Sequence, residues 1–254
     1  MIKLDNLCFS YGKNEVIRNL DACFNNGELC CIVGVNGSGK STLLRLISGI
    51  LKPSDGSISI DGRIMTAYSR SEYSRLLAFL PQLRDSISMT VGDIVALGRF
   101  PYTGFVRTFN ESDKEAVKSA LAMVNASELI SRNLSELSGG ERQRVYLAMI
   151  IAQNTPYVLL DEPTTFLDIS HVYDMMDMLR TLKNEGKCVL AVTHDIALAL
   201  EYADKLLVVD KNSLSAELLT PSRAVEDGTL ERVFGIRFLK NEVEGTIRYV
   251  PFRK

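Results

Sequence analysis

Positive charge, long apolar runs and metal-ligating clusters are all scarce in this chain, and each scarcity excludes something. Lys and Arg number 29 against 31 Asp and Glu, a net charge of −2, so the bulk positive field of a nucleic-acid binder is missing. Apolar runs such as "YLAMIIA" (146–152) and "KLLVV" (205–209) are far too short to span a bilayer. The opening "MIKLDNLCFS" has neither an apolar signal core nor an Arg/Ser-rich transit character. The expectation is a chain that stays in the cytosol, with any membrane role played through a partner. The only two histidines, His171 and His194, lack metal-ligand spacing. Five cysteines (Cys8, Cys23, Cys30, Cys31 and Cys188) form no C-x-x-C pair, which favours reduced, buried structural thiols. Cys30 and Cys31 are neighbours in an apolar run and are expected on opposite faces of a strand.

What is present is ordinary globular composition, 46% hydrophobic and 24% charged over 254 residues, enough for a real core. The first sixty residues read as β-rich. "ELCCIV" (28–33) is a buried strand, and "SISIDGRI" (57–64) carries an Asp-Gly hairpin signal. From residue 83 to 155 the texture turns helical, through "VGDIVALG", "DKEAVKSALAMV" and "ERQRVYLAMIIAQ". Beyond that, apolar strands alternate with helices: "YVLLD" (157–161), then a helix with Val172, Met176 and Leu179 on one face, then "KCVLAVTHD" (187–195). This alternation predicts an α/β fold with a mainly parallel sheet covered on both faces. The methionines at 175, 176 and 178 are expected to pack on a helix face. No repeat or linker divides the chain, so one domain is expected: residues 1–82 and 156–254 as sheet-containing core, 83–155 as a helical insertion.

Directly after the strand "CCIV" comes "GVNGSGKST" (34–42), which fits G-x-x-x-x-G-K-[ST] through Gly34, Gly39, Lys40 and Ser41. Glycines let backbone N–H groups curl around phosphate oxygens. Lys40 can reach the outer phosphates, and the Ser41 hydroxyl suits Mg²⁺. The spacing of Gly34, Gly37 and Gly39 is wrong for the dinucleotide fingerprint. A nucleoside triphosphate is the expected ligand. "YVLLDEP" (157–163) puts Asp161 at a strand's carboxyl edge, where it can hold the Mg²⁺ shell, with Glu162 beside it to orient or deprotonate a water. His194 ends a further strand at the same edge and could donate to the γ-phosphate. "LSGGERQR" (137–144) has no nucleophile. It reads as the open N-terminus of a helix, a site for an anion.

In this order the pieces resemble the nucleotide-binding subunits of ATP-binding cassette (ABC) transporters, from Tyr11 to about Asp210. Tyr11 matches the aromatic that stacks on adenine, and Gly34, Asn36, Gly37, Ser38, Gly39, Lys40, Ser41 and Thr42 match Walker A. Gln82 matches the Q-loop, "LSGGE" the signature, Asp161 and Glu162 the end of Walker B, Asp168 the D-loop and His194 the switch histidine. The resemblance implies an antiparallel β subdomain beside the P-loop sheet, ATP and Mg²⁺ as ligands, and hydrolysis carried by Glu162, His194, Gln82 and Lys40. Ser41, Gln82 and Asp161 would serve the metal. It further implies a head-to-tail dimer in which Ser138, Gly139, Gly140 and Glu141 cap the nucleotide held by the other copy. The implied partners are a second copy, transmembrane permease subunits and, indirectly, a solute-binding protein, with no nucleic acid. The implied place is the cytoplasmic face of the inner membrane.

"TVGDIVALGRFPYTG" (90–104) and "DEPTTFLDISH" (161–171) narrow the resemblance to importers of iron chelates, haem and cobalamin. Non-transport ABC ATPases of cofactor assembly or translation are the alternative. The absent N-K-x-D disfavours a small GTPase, and the absent heptads disfavour the chromosome-maintenance ATPases. "GRFPYTGFVRTFN" (98–110) carries Phe100, Tyr102, Phe105 and Phe109 with Arg99 and Arg107, a candidate docking surface for the permease. No family role is carried beyond residue 210.

Overall fold

Strands with no polar side chain facing outward can survive only when covered on both sides, and the centre of this molecule is built from them. The computed structural model describes residues 1–82, 88–103, 109–165, 167–243 and 246–253. Its main sheet has six strands: β3 (Leu29–Gly34), β6 (Leu77–Leu80), β7 (Tyr157–Asp161), β8 (Cys188–Val192), β9 (Lys205–Asp210) and β10 (Ser215–Leu219). They lie in the order β10-β9-β3-β8-β7-β6. All neighbours pair in parallel except β10, which runs antiparallel at the edge beside β9. A second, antiparallel sheet of β1 (Ile2–Tyr11), β2 (Asn14–Phe24), β4 (Asp55–Ile60) and β5 (Arg63–Ile64) has the order β2-β1-β4-β5. Asp61 and Gly62 both have positive φ, 51° and 78°. They join β4 to β5 in the left-handed two-residue turn that the Asp-Gly pair predicts.

The period of two in β3 divides the core. Cys31 and Val33 belong to the buried cluster built with α3 (Val91–Leu97), α5 (Glu111–Met123), α6 (Gly139–Gln153) and α7 (Ile169–Asn184). Cys30 and Ile32 face α1 (Lys40–Ile47) and the antiparallel sheet, with Leu4, Phe24 and Ile58. The two adjacent cysteines thus take opposite faces, as their position in a strand requires. Burial pushes the Cys31 and Cys188 thiols up to about 12, which leaves them inert. Cys8 and Cys23 depart from the expectation of burial: both sit half-exposed on the antiparallel sheet. Met175 and Met176 are buried with Leu179, and Met178 packs partly against the same cluster.

Short helices fill the remaining joins: α2 (Arg70–Leu76), α4 (Phe100–Thr103), α8 (Ile196–Tyr202), α9 (Pro221–Glu226) and α10 (Thr229–Phe234). The chain closes with a hairpin of β11 (Arg237–Val243) and β12 (Thr246–Phe252), tied to α8 by an Arg248–Glu201 ion pair. Among the described residues no helix is long and apolar enough to cross a membrane.

The segment singled out for its aromatics divides in the structure. Phe100 and Phe109 are exposed, at 44% and 39%, Tyr102 is half-buried, and Phe105 and Arg107 lie outside the described residues. Arg99, expected as an interface anchor, is instead structural. It pairs with buried Asp113 at 3.0 Å and donates to the Ala152 carbonyl at 2.8 Å. It also lies over the Tyr102 ring at 4.2 Å, so it joins the start of α5 to the end of α6. Glu at position 99 would set a second carboxylate against Asp113. Breaking a buried pair of this kind costs about 3–5 kcal/mol. Arg99→Glu should therefore lower the unfolding free energy by that order in a urea titration.

Candidate functional site

Parallel pairing brings the ends of several strands to one edge of the main sheet. The loop after β3 starts at Gly34, where a Cβ would stand 2.6 Å from both the Val209 carbonyl and Ser38 Oγ. Only glycine lets β9 and the loop approach so closely. Gly37 and Gly39 have φ of 74° and 99°, and a Cβ on Gly39 would meet Val16 Cγ1 at 2.7 Å. The loop runs directly into α1, whose first N–H groups are not all used within the helix. Lys40 is buried and folds back, donating to the carbonyls of Gly34 at 2.8 Å and Val35 at 3.1 Å. Burial pulls its ammonium below the ordinary range, while Glu162 and Asp161 act to raise it. Ser38 Oγ is buried with no hydrogen-bond partner among the described residues.

Across the sheet edge, Ser41 Oγ donates to Asp161 Oδ1 at 2.9 Å. The other oxygen, Asp161 Oδ2, is buried without a partner. Burial raises the Asp161 carboxyl above the usual range; the Ser41 hydrogen bond opposes this and nearby Glu162 adds to it. Glu162 follows with φ of 56°, a left-handed conformation rare for a side chain of its size. Such strain persists where surrounding structure enforces it, and it marks functional positions. Here the Glu162 N–H donates to the Val192 carbonyl of β8 at 3.2 Å. The carboxylate is thereby fixed among three partners: Gln82 Nε2 donates to Oε2 at 2.7 Å, Thr165 Oγ1 donates to Oε2 at 3.2 Å, and His194 Nε2 lies 2.5 Å from Oε1. Gln82 thus turns to Glu162. Thr165 was not singled out from sequence, although its place three residues after Glu162 in the turn is what brings it there. Tyr11 ends β1, 46% exposed, with its ring edge-on to Phe9 at 4.8 Å.

The signature stretch forms a separate surface. Ser138 caps α6: its side chain accepts from the Glu141 N–H at 3.3 Å, and Glu141 accepts from the Ser138 N–H at 2.8 Å. This capping box leaves Gly139 and Gly140 N–H groups at an open helix start. Hydrogen bonds from Ser138 hold the Glu141 carboxyl below its ordinary range. Asp168 caps α7 and is bonded to the His171 N–H at 3.0 Å and to His171 Nδ1 at 2.6 Å. The backbone bond, then the ring, lower its pKa. One shallow cleft is lined by Ser138, Gly139, Gly140, Glu141, Arg144, Asp168 and His171. None of its lining residues belongs to the glycine loop.

Residues 17–165 match the model of the ABC transporter family. The chain belongs to that family. With this cassette fold it is an ABC-type ATPase that binds nucleotide. It is 38% identical over 250 residues to the achromobactin transport ATP-binding protein of Dickeya dadantii, covering 97% of this chain and 93% of that protein. It is 36% identical over 251 residues to the ferric enterobactin transport ATP-binding protein of Escherichia coli K12, covering 97% and 92%. It is 37% identical over 245 residues to the hemin import ATP-binding protein of Pseudomonas entomophila, covering 94% of each. Among solved structures, an inward-facing ABC transporter assigned to the metal-chelate type superposes with a TM-score of 0.86 at 27% identity, over 100% of this chain and 98% of that one. A dimeric bacterial cassette bound to ADP and phosphate superposes at 0.76 and 28% identity, over 87% and 99%.

The buried, half-satisfied Asp161 generates a pH-dependent prediction. Its native pKa stands above the ordinary 3.8, so stability linked to its proton is complete below that value and is lost as pH rises through the native pKa. Without nucleotide or divalent metal, Asp161→Asn should therefore unfold at a higher temperature than wild type at neutral pH. Each kcal/mol relieved is worth about 2–4 °C in a domain of this size. The gap should close in acid. An Asn variant less stable than wild type at pH 7 would mean that the buried charge is not what limits stability there.

Proposed function

We propose that this cassette powers a membrane importer of iron chelates, of the siderophore or haem class. The observation that carries the reading is the convergence of Lys40, Asp161, Glu162 and His194 on one sheet edge. The names of the relatives, which are achromobactin, ferric enterobactin and hemin transport proteins, supply the class of solute. The proposed location is the cytoplasmic face of the inner membrane, against separate permease chains. Exposed Phe100 and Phe109 are the contacts proposed for the permease.

In this reading the triphosphate lies in the glycine loop. Lys40 leaves the Gly34 and Val35 carbonyls for the outer phosphates, and the orphaned Ser38 hydroxyl finds its acceptor there. Tyr11 offers its exposed face to the adenine. The hydroxyl of Ser41 and the unpartnered Asp161 Oδ2 are hard oxygen donors that suit Mg²⁺. When bound, Mg²⁺ neutralises charge on the phosphate oxygens. Glu162 accepts the proton of the attacking water. His194 and Gln82, both bonded to Glu162, hold its carboxylate in line and sense whether phosphate is present. A single copy lacks the second wall of this site. The Gly139 and Gly140 amides and the Ser138 hydroxyl of a second copy supply it, with each Asp168 close to the shared nucleotide.

Co-purifying the membrane partner and finding which chelate's uptake fails on deletion of this subunit tests the transport reading. Normal uptake of every iron chelate would overturn it. At the chemical level, Glu162→Gln should cut turnover by about 10²-fold or more, the range removed with a general base, while ATP still binds and holds the dimer together. Wild-type turnover in this variant would remove Glu162 from its role. Lys40→Ala and Ser138→Arg should each abolish hydrolysis, the first in its own loop and the second in its neighbour's. Mixing the two inactive proteins should restore part of the activity, because some mixed sites receive an intact loop and an intact signature. Heterodimers that form without recovering activity would sink the composite site.

A further inference from the structure

The segment after β9, outside every motif read in the sequence, brings a second lysine to the glycine loop. Strand β9 pairs in parallel with β3, Val209 opposite Gly34, so the residues that follow Val209 run alongside the loop that follows Gly34. Their backbone is held on both sides. Asp210 accepts from the Asn212 N–H at 2.9 Å, and the Leu214 carbonyl accepts from the Arg18 N–H of β2 at 2.9 Å. Lys211 stands on this braced turn. Its ammonium Nζ lies 3.6 Å from where a Cβ of Gly37 would be, with no other group so near that position. The side chain is exposed, and none of the described residues forms a hydrogen bond or ion pair with it.

The charge of the site gives this position a consequence. Lys40 is one ammonium against two carboxylates, Asp161 and Glu162. A triphosphate entering there meets an excess of negative charge, and a further cation at the mouth offsets it. We propose that Lys211 binds the phosphates of the nucleotide from the Gly37 side of the loop, as a second lysine that acts in addition to Lys40. This rests on the nucleotide-binding reading above. Placed at the solvent edge, Lys211 contributes to affinity and to capture of the nucleotide; it takes no part in proton transfer.

The test is nucleotide binding by calorimetry, with Mg²⁺-ADP on the wild-type background and Mg²⁺-ATP on the Glu162→Gln background. Lys211→Met keeps the stem and removes the charge, and Lys211→Arg keeps a cation. Lys211→Met should raise the Kd for both nucleotides by about three- to tenfold, the worth of one partly exposed charge-assisted contact. It should also flatten the dependence of Kd on salt. Lys211→Arg should restore both, and all three proteins should unfold at the same temperature. Unchanged Kd values in Lys211→Met overturn the proposal, as does an equal loss in Lys211→Arg, which would mark a structural role. If the unsubstituted protein binds neither nucleotide and Lys40→Ala is no different, the nucleotide reading itself has failed.

Discussion

Parallel registration of neighbouring strands is the constraint on which the rest of this molecule depends. Cys31 lies beside Ala191, Asp161 beside Val192 and Gly34 beside Val209, so each strand ends at the same edge and releases its following residue there. Lys40, Asp161, Glu162 and His194 come from three separate stretches of chain and meet for this reason alone. The register itself is held by burial. A slip of one residue in β3 would exchange the faces of Cys30 and Cys31 and of Ile32 and Val33, and each face packs against a different layer.

The site on this edge is held by unmet needs. Ser38 Oγ and Asp161 Oδ2 are buried without partners, Lys40 occupies carbonyls that loop closure makes available, and Glu162 sits in a left-handed backbone conformation. Each costs stability in the empty protein. In the proposed reading an anion and a hard cation answer these needs, at the mouths of the loops after β6, β7 and β8. Gln82, Glu162 and His194 belong to those three loops and are joined in one hydrogen-bonded chain. In the proposed reading these hydrogen bonds link the phosphate to Gln82, where the chain leaves the sheet for the helical region.

That region carries the signature stretch on a different surface. The capping box at Ser138 and Glu141 and the cap at Asp168 rigidify two helix starts that share one shallow cleft. Glu141 is an acceptor engaged with its own helix, so in the proposed reading the glycine amides are what meet a phosphate. Hydrolysis in that reading takes one signature surface and one glycine loop, from different copies.

Much of this was legible in residues alone, because the signals are local. The phosphate loop needs glycine at Gly37 and Gly39 for positive φ, the cap needs Ser138 with Glu141 three residues on, and the Asp61-Gly62 turn needs left-handed residues. Each rule acts within a few positions of chain. Burial of strands β3, β7 and β8 was legible from their unbroken apolar character. What only the tertiary structure decided are contacts between residues distant in sequence. Arg99 reads as an exposed anchor in its own segment, yet Asp113 and Ala152 claim it because α5 and α6 fold around it. Cys8 and Cys23 read as buried thiols, yet they fall on the outer part of the antiparallel sheet. Lys211 reads as one more surface lysine, until the pairing of β9 with β3 sets it beside Gly37. Local chemistry is written in spacing; the company a side chain keeps depends on which strand comes to lie next to its own.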